Sequence, residues 1–179
     1  MTLNQYPTEE ALEKIRRLYE RSFPKSEKKP WRVILDKCTE GSMKIISIEE
    51  KSAFLGLMIF ILHSDLVLLD YFAISEEHRG EGIGSLALSR VASQLDGKRL
   101  LLEIEDPEDT DADNLDERVR RSHFYARLGF VPRDYKIDLF GVRMLLLSYA
   151  DRAVSFEEYH SIFTGVFSPK IARNVNICF

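Results

Sequence analysis

The sequence predicts an α/β fold built around one mixed sheet, and three observations carry that prediction. Apolar or alternating runs of strand length recur at residues 43–48, 53–62, 66–74, 100–105 and 142–149. Amphipathic segments with helical spacing stand before, between and after these runs. The stretch His78-Arg79-Gly80-Glu81-Gly82-Ile83-Gly84-Ser85 joins an apolar strand directly to a helix.

The elements follow in order. Leu12, Ile15, Leu18 and Tyr19 share one helical face over residues 8–21, with Thr8 as N-cap and Glu9-Glu10 in the first turn. Phe23-Pro24 ends that helix, and Lys25 to Lys29 form a solvated basic link. Pro30 then starts a short second helix with Trp31, Ile34 and Leu35. Residues 43–48, 53–62 and 66–74 read as three consecutive antiparallel strands separated by polar turns. From Gly82 to Leu95 an apolar stripe of Ile83, Leu86, Ala87, Val91 and Leu95 defines a crossover helix, closed by Asp96-Gly97. A strand at residues 100–105, an acidic loop at 106–116 and a helix over 117–128 follow, with Gly129 at its C′ position. Phe130-Val131, Tyr135 to Phe140 and Val142 to Tyr149 give strand segments turning at Gly141. Ser155 caps a last helix carrying Phe156, Tyr159, Ile162 and Phe163, and Pro169 starts a tail whose residues 175–179 form a further strand.

With 179 residues, 45% hydrophobic and 30% charged, the chain has enough apolar material for a single domain spanning residues 1–179. Its net charge of −4 offers no broad basic surface, which argues against nucleic acid as a partner and favours a neutral or cationic substrate. Cys38 and Cys178 show neither metal-ligand spacing nor a disulfide framework, so no metal is expected. No apolar stretch approaches the ~20 residues of a membrane span, and the first residues lack a basic patch followed by an apolar segment. The expectation is a cytoplasmic protein without a membrane partner.

The glycine-rich stretch reads as an anion cradle. Glycines let the backbone approach a ligand, and the first turn of a helix presents unpaired N–H groups at the positive end of its dipole. A P-loop would end in Gly-Lys-Ser/Thr, and a dinucleotide fingerprint would read Gly-x-Gly-x-x-Gly; neither spacing is present. The order Arg79-x-x-Gly82-x-Gly84 instead resembles the acyl-CoA-binding motif of the GNAT superfamily of N-acetyltransferases. Phe124-Tyr125-Ala126-Arg127-Leu128-Gly129-Phe130, downstream of it, resembles the Phe/Tyr-Tyr-x-x-x-Gly-Phe signature of the same family. The resemblance covers residues 8–149, most strongly 66–130, and leaves 150–179 as a C-terminal appendage.

That resemblance implies a GNAT-like, mostly antiparallel central sheet flanked by helices, and an N-acetyltransferase with acetyl-CoA as donor and a small-molecule or peptide amine as acceptor. It implies that Arg79, Gly80, Glu81, Gly82, Ile83, Gly84 and Ser85 surround the pyrophosphate, and that backbone groups of Phe72, Ala73 and Ile74 bind the pantetheine arm as an added strand would be bound. Tyr125 becomes the acid that protonates the departing thiolate, because a thiol near pKa ~8.5 leaves more easily when protonated.

The amine must also lose a proton, and carboxylates inside strands are the candidates. Asp70 has the strand parity of Phe72, and Glu103 and Glu105 share one face of their strand. Asp70 and Glu103 are taken as base or amine anchor, with ion pairs to Arg118, Arg120 or Arg121 as the structural alternative. The family often has an asparagine where this chain has Arg118, so that contact is left unassigned. Asp109 to Asn114 imitates the start of a calcium loop, but Asn114 and Arg120 stand where glycine and glutamate are required. An acyl-CoA-binding regulatory module without activity is the rival reading, and a nucleotide-binding protein is a weaker one. Phe163, Phe167 and Phe179 suggest homodimerisation through the C-terminal helix and tail.

Overall fold

A computed structural model describes residues 1–25 and 27–178. Among these the fold is α/β, a mostly antiparallel sheet of eight strands flanked by six α-helices. The chain divides into two compact units, residues 1–62 with 69–94, and residues 63–68 with 95–179.

The first unit contains β1 (Thr2–Asn4), α1 (Glu9–Ser22), α2 (Trp31–Thr39), β2 (Met43–Glu50), most of β3 (Ala53–His63) and β4 (Leu66–Ile74), and α3 (Ile83–Ser93). Thr8 caps α1 by accepting from the Ala11 N–H at 3.2 Å. The face carrying Ile15, Leu18 and Tyr19 is buried, and each such side chain contributes about 1.5–3 kcal/mol on leaving water. The strands run in the order β1-β2-β3-β4, with β2 antiparallel to both β1 and β3. The alternation read in β2 gives way to nearly continuous burial, and the apolar run of β3 is buried throughout its middle, as in strands covered on both faces. β1 carries too short a pattern to be legible, and forms because its backbone pairs with Ser47 to Glu49.

Gly56 on β3 has a tertiary reason. A Cβ there would stand 2.4 Å from the Ala73 carbonyl oxygen and 3.1 Å from the Ile74 Cα, so the end of β4 comes closer than any side chain allows.

The second unit contains β5 (Arg99–Glu105), α4 (Leu115–Arg127), β6 (Phe130–Leu139), β7 (Val142–Tyr149), α5 (Phe156–Val166), the short α6 (Pro169–Ala172) and β8 (Val175–Cys178). Its strands run β5-β7-β6-β8, all antiparallel neighbours. The two segments expected at 130–131 and 135–140 form one strand with an irregularity between Pro132 and Lys136, where a proline without an N–H interrupts the ladder. Phe140 and Gly141 both take positive φ in the turn to β7. Ser155 makes the complete capping box with Glu158 at the start of α5. Part of the expected tail is helical, as α6, and β8 fulfils the terminal strand; Phe179 lies outside the described residues.

Arg99 fastens this unit. Its guanidinium donates to both oxygens of Asp65 at 2.7 and 3.0 Å, to the Ala153 carbonyl at 2.8 Å and to Glu158 at 2.7 Å. These bonds hold the Asp65 and Glu158 carboxyls below the usual carboxylate range.

Candidate active site

The first unit carries the candidate donor residues. A single 3-10 turn, Glu76–His78, leads from β4 into Arg79. Gly80 and Gly82 have φ of +82° and +77°, and a Cβ at either would meet nothing within 4 Å, so their demand is conformational and they open on space. Gly82 takes the N-cap position of α3 without any side-chain cap. Its carbonyl accepts the Leu86 N–H at 3.1 Å. Among the described residues, the six N–H groups from Gly80 to Ser85 meet no acceptor. They are concentrated at the positive end of a helix of eleven residues, as an anion cradle requires.

Arg79 is exposed and its Nε donates to the Ile74 carbonyl at 3.2 Å. The guanidinium has five N–H donors, so this bond ties the arginine to the end of β4 and leaves others for an anion. Glu81 is exposed, with Oε2 3.4 Å from His78 Nδ1. Phe72, Ala73 and Ile74 are half-buried at the end of β4, where Ala73 turns its carbonyl towards Gly56.

Asp70 lies two residues before Phe72 on the same strand face. Its Oδ1 accepts from Lys29 Nζ at 2.8 Å, whereas Oδ2 is buried and has no hydrogen-bond partner among the described residues. The sequence alternative of an arginine partner from residues 118–121 is replaced by this lysine. Lys29, read in the sequence as part of a solvated basic link, is instead largely buried and ion-paired; a partner 41 residues away leaves no local signal.

The second unit carries the remaining candidates. Tyr125 lies on α4 between Phe124, at 5.1 Å between ring centroids, and Phe130, at 5.7 Å. Burial pushes its hydroxyl up to about 12, against a smaller opposite effect of Arg121. Glu103 on β5 accepts a short hydrogen bond from the Tyr159 hydroxyl of α5. Tyr159 is fully buried, so the C-terminal appendage holds a strand carboxylate that the family-like core supplies.

Glu105 has a different task. Its two oxygens meet Arg118 at 2.9 Å and Arg121 at 3.3 Å, and Asn114 donates to it at 3.2 Å. Arg118 also reaches Asn114, Asp109 and the Asp106 carbonyl, so this arginine is absorbed in fastening α4 to β5. Asp106 is fully buried and accepts from Lys136 at 2.8 Å and from the Glu108 N–H at 3.0 Å. Burial raises its carboxyl, but the Lys136 ammonium and the Glu108 N–H outweigh that and hold it below the usual range. The acidic loop is thus a braced connection. Among the described residues no group of three or more His, Cys, Asp or Glu could hold a metal.

Residues 41–132 match the acetyltransferase (GNAT) domain family, which covers the glycine loop and the tyrosine motif together. The chain belongs to the GNAT acetyltransferase family. Among solved structures, a GNAT-family protein from Bacteroides thetaiotaomicron is 20% identical, with a TM-score of 0.75 over 93% of this chain and 98% of that one. A Bacillus subtilis acetyltransferase in complex with CoA is 13% identical, with a TM-score of 0.56 over 83% of this chain and 95% of that one. A spermidine N-acetyltransferase chimera from Vibrio cholerae and hSSAT is 15% identical, with a TM-score of 0.64 over 83% of this chain and 93% of that one. No curated protein sequence matches significantly. No helix is long and apolar enough to cross a membrane among the described residues.

Proposed function

We propose that the chain is an acetyl-CoA-dependent N-acetyltransferase that acts on a primary amine by direct attack in a ternary complex. The observation that carries this reading is the run of six N–H groups from Gly80 to Ser85 without acceptors, at the start of α3 and beside Arg79. Those groups fit a pyrophosphate: two left-handed glycines open on space, and a helix dipole favours the negative charge. The complex of the Bacillus subtilis acetyltransferase with CoA supports the same donor here.

In this reading Arg79, Gly80, Glu81, Gly82, Ile83, Gly84 and Ser85 surround the pyrophosphate, and the backbone of Phe72, Ala73 and Ile74 receives the pantetheine arm. Bound acetyl-CoA supplies an activated acetyl group on a sulfur leaving group. Tyr125 keeps its proton at neutral pH, since its hydroxyl titrates at about 12, and holds that proton for the leaving sulfur. Glu103 and Asp70 are the carboxylates that serve as base or amine anchor. Most of the acceleration comes from holding two reactants together, an effect worth up to about 7–11 kcal/mol in well-oriented systems.

The test combines calorimetry of CoA binding with a thiol-release screen of acetyl-CoA against a mixed amine panel. Binding with thiol release on one or more amines is expected. Absence of CoA binding overturns the reading, whereas binding without thiol release on any amine makes the chain an acyl-CoA-binding regulatory module.

A further inference from the structure

The Lys29–Asp70 pair is built in a way that a purely structural ion pair does not require. The Asp70 side chain is only 8% exposed, yet one of its two oxygens has no hydrogen-bond partner among the described residues. A buried acceptor left unsatisfied is unfavourable, and a buried ion pair is often no more stabilising than an apolar replacement. Lys29 Nζ lies 2.8 Å from the other oxygen and 5.2 Å from the centroid of the Tyr71 ring, so a carboxylate and an aromatic face hold one primary ammonium.

The main chain around Lys29 is fixed while its side chain keeps a partial opening to solvent. The Lys29 N–H donates to the Tyr71 hydroxyl at 3.0 Å, and the Lys29 carbonyl accepts from the Tyr19 hydroxyl at 2.9 Å. The Tyr71 hydroxyl in turn donates to the Glu27 carbonyl at 2.8 Å. Tyr19 and Tyr71 stack edge to face at 4.8 Å, and Phe23 closes on Tyr71 at 5.0 Å. The lysine side chain retains 25% exposure above this aromatic floor, and rotation about its own bonds uncovers Asp70 without moving the backbone.

We infer that Asp70 and Tyr71 form an alkylammonium subsite that Lys29 fills in the resting chain, and that the acceptor is an unbranched primary alkylamine which binds as its ammonium in place of Lys29. The inference rests on the proposed function, since that subsite lies on β4 two residues from the strand end assigned to the pantetheine arm. The resident ligand states the specificity: four methylenes ending in an ammonium. An occupant already in place lowers the apparent affinity for an incoming one by the fraction of time the site is open.

The experiment compares full-length wild type with Lys29→Met, Lys29→Arg and Asp70→Asn. Calorimetry with n-butylammonium chloride, with and without CoA, reads the subsite directly. Expected is roughly ten-fold tighter binding by Lys29→Met, wild-type behaviour for Lys29→Arg and loss of binding for Asp70→Asn, with CoA affinity unchanged. If Lys29→Met binds n-butylammonium no more tightly than wild type, Lys29 is only a structural partner and the inference falls. Because Lys29→Met strands a buried carboxylate, its melting temperature is a second readout. It should rise with n-butylammonium but not with tetramethylammonium, which has no N–H, and Asp70→Asn should not respond. Equal rises with both cations, or none, also overturn the inference. In thiol release, Lys29→Met should lower KM for n-butylamine while kcat stays constant. Free 1,4-diaminobutane and a blocked lysine derivative then separate a small amine from a lysine side chain: use of either supports the subsite, and use of neither by a CoA-binding protein overturns it. Failure of the proposed function reads differently, as a wild type that binds no CoA while the ammonium measurements still run.

Discussion

Tyr125 keeps its hydroxyl among aromatic rings, and burial there raises it to about 12, so at pH 7 it holds its proton. Replacing it by phenylalanine keeps the ring and removes only the hydroxyl. Steady-state kinetics of Tyr125→Phe should therefore show kcat lower by about 100-fold, with KM for acetyl-CoA nearly unchanged. An unchanged kcat would remove the tyrosine from the chemistry. Gly56 is a residue-scale constraint of another kind. A methyl group 2.4 Å from the Ala73 carbonyl forces the β4 end to move, so Gly56→Ala should lose about 1–3 kcal/mol in chemical denaturation and weaken CoA binding in the same protein. Tyr125 was legible from its motif. Gly56 was not, because its reason lies in a strand that follows it in sequence and meets it only on folding.

At the scale of elements, the two ends of α4 are controlled by chemistry of different range. Gly129 past its C-terminus, with φ of +86°, follows from a local rule about left-handed caps. The attachment of its first turns to β5 through Glu105, Arg118, Arg121 and Asn114 does not. Removing the charge of Glu105 leaves two arginines facing a neutral group. Glu105→Gln should lower stability by about 1–3 kcal/mol, measured by urea unfolding, and reduce the affinity for CoA less than it reduces stability. The loop preceding α4 gives a pH dependence. Asp106 titrates below the ordinary carboxylate range in the folded chain, so its contribution is complete above the unfolded value of about 3.9 and is lost as pH falls through the depressed one. Wild type should therefore lose stability on acidification below about pH 4, and Lys136→Met should flatten that part of the profile. The sequence showed an acidic loop and excluded a calcium site; which acid is buried depended on Lys136, thirty residues away.

For the whole molecule, a donor that binds only the folded chain must raise its melting temperature by mass action. At CoA about 100-fold above its dissociation constant the gain is about 2.7 kcal/mol, or about 5–10 °C for a domain of this size, readable by scanning calorimetry. No shift at that ratio would contradict a native-state CoA site. The sequence alone determined the order of the longer strands and helices (though neither β1 nor α6), the caps at Thr8 and Ser155, the glycine-rich turn before α3 and the tyrosine motif. Each of these is written in residues within a turn or two of one another, where spacing and backbone preference act directly. The tertiary structure decided the partners of the charged groups: Lys29 for Asp70, Tyr159 for Glu103, and Arg118 with Arg121 for Glu105. Any of several cations or hydroxyls could have met each carboxylate. The choice belongs to strand register and helix placement, because a short-range hydrogen bond forms only between groups that burial of the apolar core has already brought within reach.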